Sequence, residues 1–344
     1  MTPAAQLWKW FRQRARDLPW RATRKDGTRD PYHVWLAEIM LQQTQVATVT
    51  PYYKKFLRHY PTLAALARAP SERVLADWAG LGYYSRARNL HKCAQIVVNE
   101  RGDTWPRSAA ELQKLPGLGP YTAAAMAALA FGENVLAIDG NVMRVIARYG
   151  AIGKPVTAAR PKFLSVGKTL LHAPANGGSA EALIELGALI CTPQSPRCDI
   201  CPLHKTCKAF AADKVMAYPV KTVSAVPQPR AATVLILTNP AGEIFTITRG
   251  GKGLFAGMRG LPTTALAPGE EDHPALAGRK AKAKLIGAAE HTLSHIRFGL
   301  SVLHQRLTVR EAAKLSALGT WMPHETLQKQ MPKLFQKALE RLDR

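Results

Sequence analysis

Two domains of different class, an all-α domain followed by an α+β domain, are what this sequence predicts, and three observations carry the prediction. Residues 8–210 read as successive short helices broken by Gly and Pro, with no convincing strand-like alternation. Around residues 211–230 the pattern loosens into Tyr-Pro-Val and Pro-Gln-Pro, after which β-rich runs at 232–237 and 244–248 flank an Asn-Pro-Ala-Gly-Glu turn. Length agrees, because 344 residues exceed one ordinary domain and a 47% apolar composition supplies two cores. The expected division is a helical domain over 1–212, a linker over 213–230 and an α+β domain over 231–344.

Charge bounds the partner. Lys and Arg number 47 against 24 Asp and Glu, a formal net charge of +23 that exceeds what solubility requires and points to a polyanion. The basic residues are scattered and no apolar run approaches the ~20 residues that span a bilayer, which favours nucleic acid over a membrane surface. The N-terminal stretch sets Trp8, Trp10 and Phe11 among Lys9, Arg12, Arg14 and Arg16, without the uninterrupted apolar core of a secretion signal. The expected location is therefore the cytoplasm. Five cysteines leave one over in any disulfide scheme, so Cys93 reads as a buried spare thiol and the other four as ligands.

Within the first domain, Asp30-Pro31 caps and begins a helix in which Val34, Trp35, Leu36, Ile39, Met40 and Leu41 surround Glu38 on nearly every side. A carboxyl so placed is expected to be partly desolvated, which raises its proton affinity toward the working pH and suits a general acid. An exposed helix glutamate is the ordinary alternative. Ser108 and Glu111 have capping-box spacing, Leu115-Pro116-Gly117-Leu118-Gly119 stops that helix, and Pro120 suits the first turn of the alanine-rich helix that follows. This is a helix-hairpin-helix. Gly117 and Gly119 allow close backbone approach, and the amides opening the second helix can hold a DNA phosphate without reading a base; a plain packing corner is the alternative. Asp139 ends an apolar stretch and precedes a helix over 142–148, so it reads as a helix cap and also as a carboxylate able to face positive charge developing on a sugar.

Cys191, Cys198, Cys201 and Cys207 follow a C-x6-C-x2-C-x5-C spacing. Zinc sites usually pair their thiols as two C-x2-C knuckles, and only Cys198 and Cys201 are so paired, so an iron–sulfur cubane, a [4Fe-4S] cluster, fits the loop 191–207 better. Four structural cysteines without a metal are the alternative. Pro193, Pro196 and Pro202 keep the loop out of a helix, and Arg197, Lys205 and Lys208 put positive charge beside it where phosphates could dock. In the second domain, strand-like stretches are expected over 293–307, a helix over 274–284 and a final amphipathic helix over 332–342.

Taken together, Val34-Trp-Leu-Ala-Glu-Ile-Met-Leu-Gln-Gln-Thr-Gln-Val-Ala-Thr48, Gly80-Leu-Gly-Tyr-Tyr-Ser-Arg-Ala-Arg-Asn-Leu90, the hairpin, Asp139-Gly-Asn141 and the cysteine spacing closely resemble the MutY-type adenine DNA glycosylases. The resemblance covers residues 8–207 and runs more loosely through the second domain. It implies a helix-hairpin-helix glycosylase fold, a six-helix barrel plus an iron–sulfur module, that binds double-stranded DNA and excises adenine mispaired with 8-oxoguanine or guanine in base excision repair. A monomer is expected, associated with the nucleoid if the source is bacterial.

The same resemblance assigns roles. Glu38 matches the acid that protonates adenine N7, Asp139 the carboxylate that stabilises the sugar cation, and Asn141 a residue positioning that acid and the nucleophilic water. N-glycosidic cleavage through an oxocarbenium-like state needs such a pair. Arg21 and Glu181 match positions lining the adenine pocket, a solvated helix residue being the alternative for Glu181; Gln43, Thr44, Leu81 and Tyr83 match residues that enter the duplex and contact the opposing oxidised guanine. Core packing is the alternative for Leu81. Where the related endonuclease III branch carries a Schiff-base lysine this chain has Tyr121, which predicts a monofunctional enzyme.

The second domain resembles the Nudix-like domain by which the family recognises oxidised guanine. Its segment after Gly269-Glu270-Glu271 lacks the clustered glutamates that hydrolysis needs, and the recognition loop reads Leu293-Ser294-His295 where the family has Phe-Ser-His. Ser294 and His295 remain candidates for the guanine contact. Three other readings stay open: a bifunctional endonuclease III-like glycosylase/lyase on oxidised pyrimidines, a non-catalytic DNA-binding protein, and a nucleotide-pool hydrolase.

Overall fold

A computed structural model describes residues 1–171, 178–220, 226–250, 253–293 and 296–342, apart from the side chains of 328–330, and divides the chain into two compact units, Met1–Thr222 and Val223–Arg344. The first unit is helical: α1 (Pro3–Arg14), α2 (Pro31–Leu41), α3 (Val46–His59), α4 (Leu63–Arg68), α5 (Ser71–Trp78), α6 (Tyr84–Arg101), α7 (Ala109–Leu112), α8 (Pro120–Phe131), α9 (Gly140–Tyr149), α10 (Arg160–Lys168), α11 (Gly178–Leu189) and α12 (Lys208–Ala211). Two large cores and a smaller one between α2 and α8 form within it. One large core gathers Trp35, Phe56, Trp78 and Leu90 from α2, α3, α5 and α6; the other gathers Leu7, Ile146, Phe163 and Leu186 from α1, α9, α10 and α11.

Helix α2 is apolar around its whole circumference, and such a helix must be enclosed on all sides. Every residue from Val34 to Met40 is buried, Glu38 included. The alanines of α8 let that helix pack closely on α2, and α11 packs on α8 in turn, so the three helices bring Glu38, Tyr121 and Glu181 toward one place. The expected linker begins later than its composition suggested. Residues Val215–Ala217 form a 3-10 turn, Tyr218 packs against the second helical core, and the Tyr218 carbonyl accepts from Arg148 Nε at 3.1 Å.

The second unit is a mixed sheet of six strands with helices on both faces: β1 (Gln228–Thr238), β2 (Ile244–Thr248), β3 (Arg259–Gly260), β4 (Lys284–Thr292), β5 (Ile296–Arg306), β6 (Thr320–Met322), and α13 (Val309–Leu315), α14 (His324–Gln330) and α15 (Lys333–Leu339). The order is β3-β2-β1-β5-β4, with β6 on β2; β1 and β5 run parallel over their full lengths. Alternate β1 residues feed opposite cores: Val234 and Ile236 meet Leu334 and Phe335 of α15, whereas Leu235 and Leu237 meet Ala312 and Leu315 of α13.

The helix expected over 274–284 does not form. A single 3-10 turn, Pro274–Leu276, ends as Ala277 turns extended and Gly278 enters the left-handed region at φ +67°. The chain then passes into β4, which its Gly287-Ala288-Ala289 composition concealed and which exists because β5 offers it an edge. No helix among the described residues is long and apolar enough to cross a membrane.

Candidate active site

A cleft of about 1360 Å³ in the helical unit is lined by Arg21, Glu38, Gln43, Thr44, Tyr83, Gly117, Gly119, Tyr121, Asp139, Asn141 and Glu181. Of the sequence-selected residues in this unit outside the cysteine loop, Leu81 alone is missing from its wall. That side chain is 5% exposed and packs in the core around Trp78, which agrees with its core-packing alternative. Its neighbour Tyr83 is 59% exposed and adopts φ +49°, and Gln43 is exposed at φ +57°.

Glu38 is 7% exposed, and burial pushes its carboxyl up to about 7; a hydrogen bond with Tyr121 pulls the other way, while Glu181 and Asp139 add to the rise. Burial, the neighbouring Glu38 and Asp139 push the Tyr121 phenol well above its ordinary range, so it remains a hydroxyl donor. Asp139 caps α9: Oδ1 accepts from Val142 N at 2.7 Å and Oδ2 from Asn141 Nδ2 at 3.0 Å. Asn141 Oδ1 in turn accepts from Arg144 Nη2 at 2.8 Å, and Arg144 Nε donates to the Cys191 carbonyl at 2.7 Å. Cap and candidate stabiliser are one group.

An ion-pair lattice that sequence reasoning missed forms one wall of the cleft. Glu181, 5% exposed, accepts from Arg21 Nε at 2.6 Å and Arg29 Nη2 at 2.7 Å, which removes the solvated-helix alternative. Glu185, one turn further along α11 and fully buried, accepts from Arg16 at 2.7 Å and Arg21 at 3.0 Å; although burial would raise its carboxyl, these arginines hold it near about 2. Two carboxylates at i and i+4 on an otherwise apolar helix repel each other, and that spacing was a legible demand for cations.

In the hairpin, Ser108 accepts from Glu111 N while the Glu111 carboxylate pairs with Lys114. Of its two glycines only Gly117 needs to be glycine for its conformation, φ +78°, and an added Cβ would stand 3.0 Å from Asn89 Cβ. Gly119 has an ordinary φ of −71° and open space where a side chain would be, which leaves its amide approachable. We expect Gly117→Ala to cost about 1–2 kcal/mol of stability and to weaken duplex binding regardless of sequence, as read by thermal melting and by titration with an undamaged duplex. An unchanged affinity would detach the hairpin from phosphate binding.

Cys191, Cys198, Cys201 and Cys207 line a shared cavity closed by Ile190, Phe210 and Val215. Burial raises the Cys198, Cys201 and Cys207 thiols, that of Cys201 to about 12, and the charge of Cys191 raises each further. No three His, Cys, Asp or Glu side chains among the described residues converge on a single ion. Four thiols around one cavity are a donor set that suits an iron–sulfur group. Arg148 stands over the cavity, donating to Cys191 Sγ at 3.5 Å and to the Thr192 and Pro193 carbonyls at 2.7 and 3.0 Å.

In the second unit Leu293 is half-buried against the sheet core, with its amide on the Ile296 carbonyl at 2.8 Å; Ser294 and His295 lie outside the described residues. Glu270 is occupied by Arg249 at 2.9 Å and by the amides of Leu254 and Leu266, a structural staple.

Residues 36–164 match the family model described as HhH-GPD superfamily base excision DNA repair protein, and residues 233–341 match a NUDIX domain. An adenine DNA glycosylase of Homo sapiens is 35% identical to this chain, the match covering 86% of the chain and 65% of the human protein. One of Rattus norvegicus is 33% identical, covering 93% and 73%. Among solved structures, a thermostable thymine-DNA glycosylase is similar with a TM-score of 0.53 at 30% identity, over 61% of this chain and 95% of that one. With both units matched and the rat relative covered over most of its length, the chain belongs to the adenine DNA glycosylase family.

Proposed function

We propose that this chain is a monofunctional DNA N-glycosylase that hydrolyses the bond between deoxyribose and adenine mispaired with 8-oxoguanine or guanine. The observation that carries the reading is the pairing, in one cleft, of a buried carboxyl pushed up to about 7 with a second carboxylate held by two donors. Leaving the stack costs the target base a few kcal/mol, and residues entering the duplex from the exposed loops at Gln43 and Tyr83 support the gap. Glu38 delivers a proton to adenine N7, which turns the base into a neutral leaving group. Asp139 faces the positive charge left on the sugar, and Asn141 holds both that carboxylate and the attacking water. Arg21 and Glu181, immobilised by their lattice, line the base pocket.

Cys191, Cys198, Cys201 and Cys207 would hold a [4Fe-4S] cluster, and their shared cavity supports that assignment. When bound, the cluster supplies metal–sulfur bonds that close the 191–207 loop. Arg197, Lys205 and Lys208 beside it, within a chain of net charge +23, suit a DNA backbone. Tyr121 offers no amine where a lyase would need one, so an uncut abasic site is the expected product. The test is a single-turnover assay on duplexes with adenine opposite 8-oxoguanine, guanine or thymine. We expect adenine release from the first two and strand breaks only after alkali; borohydride trapping of the enzyme on DNA would overturn the monofunctional reading, and no release from any duplex would overturn the whole.

A further inference from the structure

We propose that Arg86 is a positioning residue that holds the two loops bearing Gln43 and Tyr83 in the conformation that reads the base opposite adenine. The inference rests on the glycosylase reading and extends it to how the opposing base is discriminated.

Gln43 and Tyr83 are non-glycine residues in the left-handed region, each exposed, on separate loops at the rim of one cleft. Such a conformation is strained and persists only where the surroundings enforce it. Between the loops lies the Arg86 guanidinium, 8% exposed. Nη1 donates to the carbonyls of Ile39 at 3.1 Å, Met40 at 2.9 Å and Gln42 at 2.5 Å, the unpaired end of α2 and the residue before Gln43. Nη2 donates to Thr44 Oγ1 at 3.2 Å and to the carbonyls of Leu81 at 3.1 Å and Gly82 at 3.4 Å, the two residues before Tyr83. Its plane also lies 5.4 Å from the Tyr83 ring centre and 5.3 Å from that of Trp78.

One side chain thus pins Gln43 from both flanks, and Tyr83 through the two carbonyls before it and over its ring. It also reaches the hairpin, because Gln42, whose carbonyl Arg86 holds, donates its amide to Thr122 Oγ1 at 3.0 Å. Only a rigid, planar fan of donors spans two loops at once; the single ammonium of lysine cannot.

The experiment measures single-turnover adenine release opposite 8-oxoguanine and opposite guanine for the full chain, Arg86→Lys, and Arg86→Lys in a Gln43→Ala, Tyr83→Ala background. We expect Arg86→Lys to shrink the preference for 8-oxoguanine by about tenfold, with the fall in rate above pH 7 keeping its midpoint, and to lose less than about twofold more in the doubly substituted background. An undiminished preference in Arg86→Lys, or an equal Arg86→Lys cost in both backgrounds, would reduce Arg86 to a structural residue. A wild-type chain that releases no adenine would instead sink the glycosylase reading, and this inference with it.

Discussion

Glu38→Gln is expected to lower the single-turnover rate of adenine release by about three orders of magnitude while leaving affinity for the mispair within about twofold. Glutamine keeps the volume of the side chain and can accept from Tyr121, so packing around α2 is preserved and only the transferable proton is lost. The wild-type pH profile carries the same claim. A donor works in its protonated form, so with the carboxyl near about 7 the rate should be level below that pH and fall about tenfold per pH unit above it. Stability must depend on pH differently in the two proteins. The folded-state affinity of Glu38 for a proton is raised above the ordinary carboxyl range of 4.5, so the folded state is favoured below that pH and loses that advantage as pH rises through about 7. The loss is on the order of 3 kcal/mol, and Glu38→Gln escapes it. Melting the two proteins at pH 5 and pH 8 should show the variant gaining on wild type at the higher pH; a gap independent of pH would mean that Glu38 is solvated and is not the acid.

What the sequence made legible was local. Glu38 announced itself because a helix apolar on every side has no wet face to give a carboxylate, and Asp30, Pro31 and Asp139 occupy cap positions that obey nearest-neighbour rules. The cysteine loop and hairpin are likewise short-range patterns. Long-range pairing stayed hidden: Glu185 meets Arg16 across 169 residues, and nothing near either one names the other. Arg86 stood inside a quoted motif, but its partners are carbonyls, which carry no side-chain signature. The helix expected over 274–284 erred because a propensity was read without the tertiary neighbours that decide it.

Asp139→Asn should cost adenine release about as much, roughly a thousandfold, and here stability separates the two jobs of the side chain. Asparagine caps a helix nearly as well as aspartate, so its Oδ1 can still accept from Val142 N and α9 should survive, with melting shifted by no more than a few degrees, about 1 kcal/mol. The oxygen that faces Asn141 becomes an amide, however, and sets donor against donor at what is now a 3.0 Å contact. Turning the Asn141 amide over offers no escape, because its Oδ1 is held by Arg144 Nη2, a donor that has no acceptor capacity of its own. The variant therefore loses both the negative charge facing the sugar and the chain of contacts that aims it, and no pH restores either. Asp139→Ala should lose the same activity and about 1 kcal/mol more stability. Rates at pH 6 and pH 8 with parallel melts test this: an Asp139→Asn protein that keeps a tenth of wild-type activity would leave Asp139 a helix cap and nothing more.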